Sequence, residues 1–232
     1  MSLPVALLRR PRRPHFAASF SAASTQALSI GTAPAAVQFG SGVSATIAAW
    51  VRLNSLANAQ PIATSRPVGA QDYNIDVNAG RVRAALAAGS TATTTATLDT
   101  GNWHLVVVQY DATGSMLSVS IDNGTADVVS NSFGLLARGG QFMLGGRADS
   151  AALTLDGRLD SVGFWKRVLS GAELTLLYNG GKGRRYATLG GLSSGLSAWW
   201  DLEERTGARV DRVAGVSLAE VNGPIARAKG VG

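Results

Sequence analysis

The chain of 232 residues contains no cysteine and only two histidines. The absence of cysteine excludes disulfides, thiolate metal sites and cysteine nucleophiles. It also makes folding in a reducing cytoplasm the simpler interpretation. A zinc site needs several histidine or cysteine ligands, and His15 and His104 are too distant in sequence to supply one.

Long apolar runs are missing as well. The first residues, MSLPVALLRRPRRPHF, do not fit a signal peptide, because their apolar run is short and precedes the charges. No later stretch is long and apolar enough to cross a bilayer. We therefore expect a soluble protein that is not exported by the general secretory route and has no membrane partner.

Acidic residues are few: 15 Asp and Glu stand against 21 Lys and Arg, which gives a net charge of +6. Part of this excess lies in a basic N-terminal arm, residues 1–16, which carries Arg9, Arg10, Arg12 and Arg13. Such an arm attracts an acidic protein surface, nucleic acid or anionic lipid through the same screened Coulomb force. A solvated tail that binds nothing has the same composition, so the sequence of the arm does not distinguish between these possibilities.

The residues that are plentiful favour strands. The 28 glycines, with many Ala, Ser, Thr and Val residues, are typical of short strands and tight turns. Apolar and polar residues alternate in 73–77, which predicts a strand, and Asn78-Ala79-Gly80 after it predicts a hairpin turn. A second strand is predicted in 46–53, where one face is apolar throughout. The tract 89–101 predicts an edge strand, and the predicted class is all-β.

One helix is predicted, in LSGAELTLLYNGG, residues 169–181. Ser170 and Glu173 have the spacing of a capping box, and two glycines end the pattern. Leu174, Leu177 and Tyr178 form the apolar face of this short amphipathic helix. We expect this face to pack against a sheet. The basic, glycine-rich stretch 180–195 predicts a linker or a long loop, and LSAWWDLEE after it predicts a strand.

The stretch GNWHLVVVQYD, residues 101–111, has two apolar faces. A sandwich strand that is open to water on one side alternates apolar with polar residues, and this strand does not. We therefore expect its outer face to be covered by the helix, by an end segment or by another subunit. His104 has no second histidine, cysteine or paired acid in sequence reach, so we predict that it makes a hydrogen bond where the strand begins.

In their order along the chain, GNWHLVVVQYD, LSVSIDNG and GRLDSVGFWKRVLSGAELTLLYNGG resemble the laminin-G-like members of the concanavalin A-like lectin and glucanase superfamily. In those domains a Trp-His pair opens a core strand, a Gly-containing turn follows the next strand, and a Gly-x-hydrophobic-Asp strand leads into a capped helix. The resemblance covers roughly the middle half of the chain. It implies a two-sheet antiparallel jelly-roll sandwich with one short amphipathic helix.

The segment WWDLEERTGARVDRVAGVSLAE departs from this pattern, because a similar strand usually stands at the start of such a domain. It is either a truncated second repeat or a segment that completes the sheet in its own or a neighbouring subunit. We therefore divide the chain into the arm 1–16, a jelly-roll domain 17–190 and a C-terminal strand segment 191–232.

Catalytic patterns are not found. Glucanase relatives cleave glycosidic bonds with carboxylates spaced by two on one strand face. Asp201 and Glu203 are the nearest match, but the third carboxylate is missing and Glu204 points the other way. A G-x-S-x-G elbow, a phosphate-binding loop and a dinucleotide-binding glycine pattern are also absent, so we predict no catalytic residue and no enzyme.

Calcium remains an alternative, because laminin-G-like domains often bind it through loop aspartates. Asp72, Asp149 and Asp156 are the loop candidates, but acidic loop residues are more often turn formers. We therefore predict no metal and no cofactor.

Tryptophan offers the candidate ligand contacts. A tryptophan in a sandwich strand is usually a core residue, which is the prediction for Trp103 and Trp165. Trp50 and Trp199 are candidates for a ligand or an interface, the latter together with Asp201 on what looks like a more polar face.

Two functions of different class are consistent with these features. The first is a non-enzymatic component of a viral particle, because laminin-G-like proteins with no export signal and no cysteine resemble bacteriophage virion proteins such as capsid decoration, cement or tail proteins. In that case the protein forms a homo-oligomer in the virion, and the arginines of its arm contact other subunits such as a major capsid protein. The alternative is a soluble lectin-type module that binds carbohydrate or protein, and nucleic-acid binding ranks third.

Overall fold

The computed structural model describes residues 16–231, apart from residues 68, 88, 133 and 224. Within this part of the chain there are sixteen strands and one α-helix. The strands are β1 (Phe16–Phe20), β2 (Ala27–Ile30), β3 (Ala45–Leu53), β4 (Ala59–Arg66), β5 (Tyr73–Asn78), β6 (Arg81–Leu86), β7 (Thr91–Thr93), β8 (His104–Asp111), β9 (Met116–Ile121), β10 (Asp127–Ser130), β11 (Gln141–Leu144), β12 (Gly157–Trp165), β13 (Leu196–Trp200), β14 (Arg209–Val210), β15 (Ser217–Val221) and β16 (Ala226–Lys229), and the helix is α1 (Gly171–Tyr178).

The strands form two sheets in which neighbouring named strands are antiparallel. Sheet I has the order β10-β9-β8-β3-β12-β1-β16, and β13 also pairs with β12. Sheet II has the order β14-β15-β2-β11-β4-β5-β6-β7, with the predicted edge strand β7 at its end. This architecture confirms the predicted all-β sandwich with one short helix.

The main core lies between the two sheets. Alternate side chains of the strands point into it, as the period of two requires, except at the register shifts in β4 and β12. Its centre is aromatic: the Phe142 ring of sheet II stacks on the Trp200 ring of sheet I at a centroid distance of 5.8 Å, and Phe164 meets Trp200 edge-on at 5.9 Å. Contacts between the sheets therefore fix their separation and leave each sheet with one outer face.

The helix forms as predicted. The Ser170 hydroxyl accepts a hydrogen bond from the Glu173 amide, and the Glu173 carboxylate accepts one from the Ser170 amide at 2.8 Å, which completes the capping box. Arg167 pairs with the same carboxylate, and its guanidinium lowers the pKa of Glu173 to about 2. The helix ends at Asn179, which adopts a left-handed conformation with φ 52°.

A second apolar cluster covers the outer face of sheet I, and it includes the outward-facing residues of β8, whose cover was predicted. We call it the outer cluster; its buried members are Ala48, Trp50, Leu105, Val107, Trp165, Leu169, Leu177, Leu189, Leu192, Trp199 and Val231. The cover comes from the helix and from the segment that follows it. The stretch 180–195 is therefore not a linker: its short 3-10 turns at Tyr186–Thr188 and Gly190–Ser193 carry two buried leucines onto the sheet.

The C-terminal segment completes both sheets within its own chain. β13 pairs with the second half of β12, β15 pairs with β2, and β16 pairs with β1. The pairing of β13 with β12 has a register shift between Phe164 and Trp165, and Leu196, which pairs with Trp165, packs on the outer cluster.

The basic arm lies almost entirely outside the described residues, and this includes Arg9, Arg10, Arg12 and Arg13. Phe16 already belongs to β1 and pairs with Lys229. In the described part of the chain, the only helix has eight residues, far fewer than a bilayer crossing needs.

Candidate binding face

The outer face of sheet II is polar, in contrast to that of sheet I. Tyr73, Ile75 and Val77 of β5 point into the main core, so the alternate residues Asn74 and Asp76 lie on the outer face. Among the described residues, no apolar cluster forms on this side. Asn74 and Asp76 are only 7% and 2% exposed, so the part of sheet II that is open to a ligand lies away from the middle of β5.

A hydrogen-bonded network crosses this face between β5 and β6. Arg83 faces Asp76 across the strand pair, and its Nε and Nη2 donate to the two carboxylate oxygens at 2.7 and 2.8 Å. The Asn74 amide donates to the same carboxylate at 2.8 Å, and its own Oδ1 is buried with no hydrogen-bond partner. Bidentate pairs of this kind hold side chains in a fixed orientation.

An open cleft of about 620 Å³ lies at one end of the face, where β2 and β4 end and β11 begins. Its polar lining includes Arg66, Gln141 and Asp149. Four glycines also line it, Gly31, Gly69, Gly139 and Gly140. A ligand can therefore approach the backbone closely at several points.

Ion pairs organise the charged side of the cleft. Arg66 Nη2 lies 2.8 Å from Asp149 Oδ2, and Arg66 Nη1 donates to Gln71 at 2.7 Å. Arg147 Nε lies 2.7 Å from the other oxygen of Asp149. The Nε of Arg66 is buried and has no hydrogen-bond partner. One carboxylate thus holds two guanidinium groups at the mouth of the cleft.

A smaller cleft of about 190 Å³ adjoins the first and shares Gln141 and Ala148 with it. Arg147, Thr25 and Asn222 contribute to its lining. The Asn222 amide donates to the Thr25 hydroxyl at 2.8 Å, which ties the end of β15 to the loop before β2. Together the two clefts form a trough over β11, in which the polar groups stand among apolar residues such as Pro67, Met143 and Ala148.

The trough offers the chemistry that polyhydroxylated ligands need. Carboxylates accept hydrogen bonds, guanidinium groups donate them, and glutamine amides do both, so adjacent hydroxyl groups can be bound from two sides. Sequence reasoning had missed Arg66, Gln141 and Arg147 and had considered Asp149 only for calcium. The available signal was the pair of Gly-Gly steps at 139–140 and 145–146, which flank β11.

The tryptophans predicted as ligand contacts lie elsewhere. Trp50 and Trp199 are each only 1% exposed, because the outer cluster surrounds them. Trp50 stacks on Tyr178 of the helix at 5.8 Å, and Trp199 meets Trp165 edge-on at 6.0 Å. The face that looked more polar is a second core, so neither indole presents a surface to a ligand here.

Asp201 holds residues of the outer cluster and of its cover in place. One of its oxygens accepts hydrogen bonds from the Trp199 indole at 2.7 Å and from the Tyr186 amide at 3.1 Å. Glu203 pairs with Arg185 at 3.5 Å, and Glu204 accepts a hydrogen bond from Val210. The three carboxylates have separate structural partners, which does not suit a paired acid and nucleophile.

The three calcium candidates are not brought together. Asp72 is buried beside Ser65, and burial raises its pKa. Asp149 pairs with two arginines beside sheet II, whereas Asp156 lies at the edge of β12 in sheet I and accepts a hydrogen bond from Asn54. No group of three metal-ligating side chains is found in the described part of the chain.

His104 makes hydrogen bonds where β8 begins, as predicted, but its partners are two aspartates, although the sequence had suggested no acid in reach. Its Nδ1 lies 2.5 Å from Asp122 and its Nε2 lies 3.1 Å from Asp99. The hydrogen bond to Asp122 raises the pKa of His104, with a further contribution from Asp99, against the effect of burial. Both ring nitrogens are occupied by aspartates, so the ring is not arranged to take a proton from a serine.

The comparisons with known proteins agree with this architecture. Residues 22–175, about two thirds of the 232, match the family described as the concanavalin A-like lectin/glucanases superfamily. None of the curated proteins matches the chain.

Solved structures with a similar fold are distant in sequence. A candidate carbohydrate-binding protein from Bacteroides ovatus is 16% identical with a TM-score of 0.69, over 94% of this chain and 63% of that protein. The present chain thus spans less than two thirds of its length. A heptameric SAP-like pentraxin from Limulus polyphemus is 12% identical with a TM-score of 0.55, over 70% of this chain and 81% of the pentraxin. The binding domain of botulinum neurotoxin serotype D is 12% identical with a TM-score of 0.54, over 71% and 42% of the two chains.

Proposed function

Because the chain belongs to the concanavalin A-like lectin/glucanases superfamily, we propose that it is a non-enzymatic carbohydrate-binding domain whose ligand site is the trough of sheet II. The contrast between the two outer faces carries this proposal. Sheet I is covered by the helix and the following segment, whereas sheet II has no second apolar core among the described residues and carries the open cleft of about 620 Å³. The description of the Bacteroides ovatus protein, which has the same fold, supports the same function.

The trough binds sugar hydroxyl groups through a few side chains of different character. Asp149 accepts hydrogen bonds, Arg66 donates them, and Gln141 does both. The non-enzymatic part of the proposal is supported by Asp201, Glu203 and His104, each of which is already held by a structural partner.

A glycan array tests the proposal. We expect the wild-type protein to bind a limited set of glycans and R66Q to bind them about tenfold or more weakly, because a hydrogen bond to a charged group contributes about 1.5–3 kcal/mol. Q141A removes a neutral amide, whose hydrogen bonds contribute about 0.5–1.5 kcal/mol each, so we expect it to bind about two- to tenfold more weakly. R205Q is the matched control, because Arg205 is exposed and outside the trough. No binding across a broad array, or equal binding by all variants, would contradict the proposal.

A role in a viral particle is a second proposal, and it is favoured by the four arginines of the N-terminal arm. The coverage of β8 within the chain removes one earlier reason to expect a partner subunit. Deletion of residues 1–15 leaves β1 intact, so we expect loss of incorporation into a particle with the sandwich still folded. Unchanged incorporation would contradict the role of the arm.

A further inference from the structure

Two arginines face each other on the outer side of sheet I. Arg52 of β3 and Arg158 of β12 are direct partners in the strand register. They lie on the same face as Trp50, which is two residues before Arg52, and both side chains are half-buried. Directly opposite residues in an antiparallel pair have Cβ atoms about 5 Å apart, so the two cationic side chains are neighbours.

No carboxylate neutralises this pair within the described residues. Neither guanidinium makes an ion pair there, and the Nε atoms of both are buried without a hydrogen-bond partner. Two aspartates flank Arg158 along the chain, but Asp156 accepts a hydrogen bond from Asn54, and Asp160 pairs with Arg185. Burial and then the charge of Arg52 lower the pKa of Arg158.

Like charges placed directly opposite each other in a sheet destabilise it, and buried donors without acceptors add to that effect. An anion removes both problems at once. A guanidinium presents N–H groups in a planar fork that matches the oxygens of carboxylate, sulfate and phosphate groups. Two such forks side by side suit one oxyanion.

We propose that Arg52 and Arg158 form a binding site for an oxyanion, carried by a free ion or by an acidic saccharide. The site is on the opposite sheet from the trough and does not depend on the proposed function. Its ligand class is anionic, whereas the trough contains a carboxylate between its arginines and recognises hydroxyl groups.

Thermal unfolding with added sodium sulfate or phosphate, against sodium chloride at equal ionic strength, tests the proposal. At ten times its Kd, a ligand of the folded state raises the Tm of a protein of this size by about 3–6 °C. We expect this rise in the wild-type protein and in the R205Q control, and its loss in R52Q and R158Q. Sulfate also stabilises proteins by exclusion from their surface, but that effect is equal in all four proteins.

The variants are expected to fold, because each removes a repulsion; in chloride their Tm is equal to or above that of the wild type. R158K keeps the charge without the fork and is expected to lose most of the anion effect. Titration with a sulfated or uronate oligosaccharide distinguishes the two sources of the oxyanion: binding of the oligosaccharide alone assigns a saccharide, and equal binding of inorganic sulfate assigns a free ion. An equal response of wild-type, R52Q and R158Q proteins to every anion would overturn the proposal.

Discussion

Asp160 and Arg185 form a buried ion pair that joins the middle of β12 to the segment after the helix. Arg185 Nη1 contacts one carboxylate oxygen, and Nη2 donates to the other at 3.0 Å. The Val231 amide donates to the same carboxylate at 2.8 Å, and Arg185 also donates to the Val231 carbonyl at 3.0 Å. One ion pair thus fixes the cover of the outer cluster and the end of the last strand.

Replacement of Arg185 by Met is expected to destabilise the protein in a pH-dependent way. Burial raises the pKa of Asp160 to about 6, against the opposing effect of Arg185. A raised carboxyl pKa means that stability falls as pH rises from about 4 through about 6 and then levels off. Without Arg185 that fall is larger, so we expect a loss of about 3–5 kcal/mol at pH 8 and a smaller loss at pH 5, measured by urea unfolding.

The neighbouring variant R184M is the matched control, because Arg184 is outside the ion pair and donates only to carbonyl groups near the helix. We expect it to change the free energy of unfolding by less than about 1 kcal/mol at both pH values. An R185M loss that is the same at pH 5 and pH 8 would show that the carboxylate of Asp160 is not the group that Arg185 compensates.

The cover of sheet I can be tested on two adjacent leucines of the helix. Leu177 is 1% exposed in the outer cluster, whereas Leu176 is 53% exposed. We expect L177A to lower the free energy of unfolding by about 2–5 kcal/mol, because it leaves a cavity over the sheet. L176A should change it by no more than about 0.5 kcal/mol. Similar values for the two variants would mean that the helix does not cover sheet I in solution.

Gly183 is expected to tolerate no side chain. Its φ is +64°, and an added Cβ would lie 2.7 Å from the Trp50 indole nitrogen. Gly190 has a similar φ of +56° but open space around it, so G190A measures the cost of the backbone conformation alone, about 1–2 kcal/mol. We expect G183A to cost a further 1–3 kcal/mol, roughly, through the clash. Equal thermal shifts of the two variants would argue against the close approach to Trp50.

His104 should make stability depend on pH. Its raised pKa means that its contribution is complete below the unfolded value of 6.5 and is lost as pH rises through the folded value. We expect H104Q to lose about 1–2 kcal/mol at pH 5.5 and less at pH 9, measured by circular dichroism on thermal unfolding. Asp160 titrates in both proteins, so the difference between them isolates His104. Parallel curves across the whole range would contradict the two aspartate contacts.

Local signals predicted the local structure. The capping box of Ser170 and Glu173 specifies where the helix begins, and Ala79-Gly80, with φ of 49° and 78°, forms the hairpin turn. The two apolar faces of β8 predicted a cover on sheet I, because a strand that contributes to two cores has no polar face.

Long-range relationships were beyond the sequence pattern. β15 pairs with β2 nearly the whole length of the chain away, and the cleft collects loops around Gly31, Arg66, Gly140 and Asp149. Strand alternation gives the face of a residue but not which strand lies beside it. For this reason the sequence predicted the correct face of β13 for Trp199. It did not predict that other residues cover that face, or that Trp199 lies on the opposite sheet from the trough.

A titration of isotope-labelled protein with a glycan selected on the array, followed by amide NMR, tests most directly whether the trough of sheet II is a carbohydrate site. We predict shift changes concentrated at Arg66, Gln141, Asp149 and the flanking glycines, and much smaller changes in R66Q at the same glycan concentration. Changes concentrated on the outer side of sheet I, around the helix and Tyr186, would contradict it.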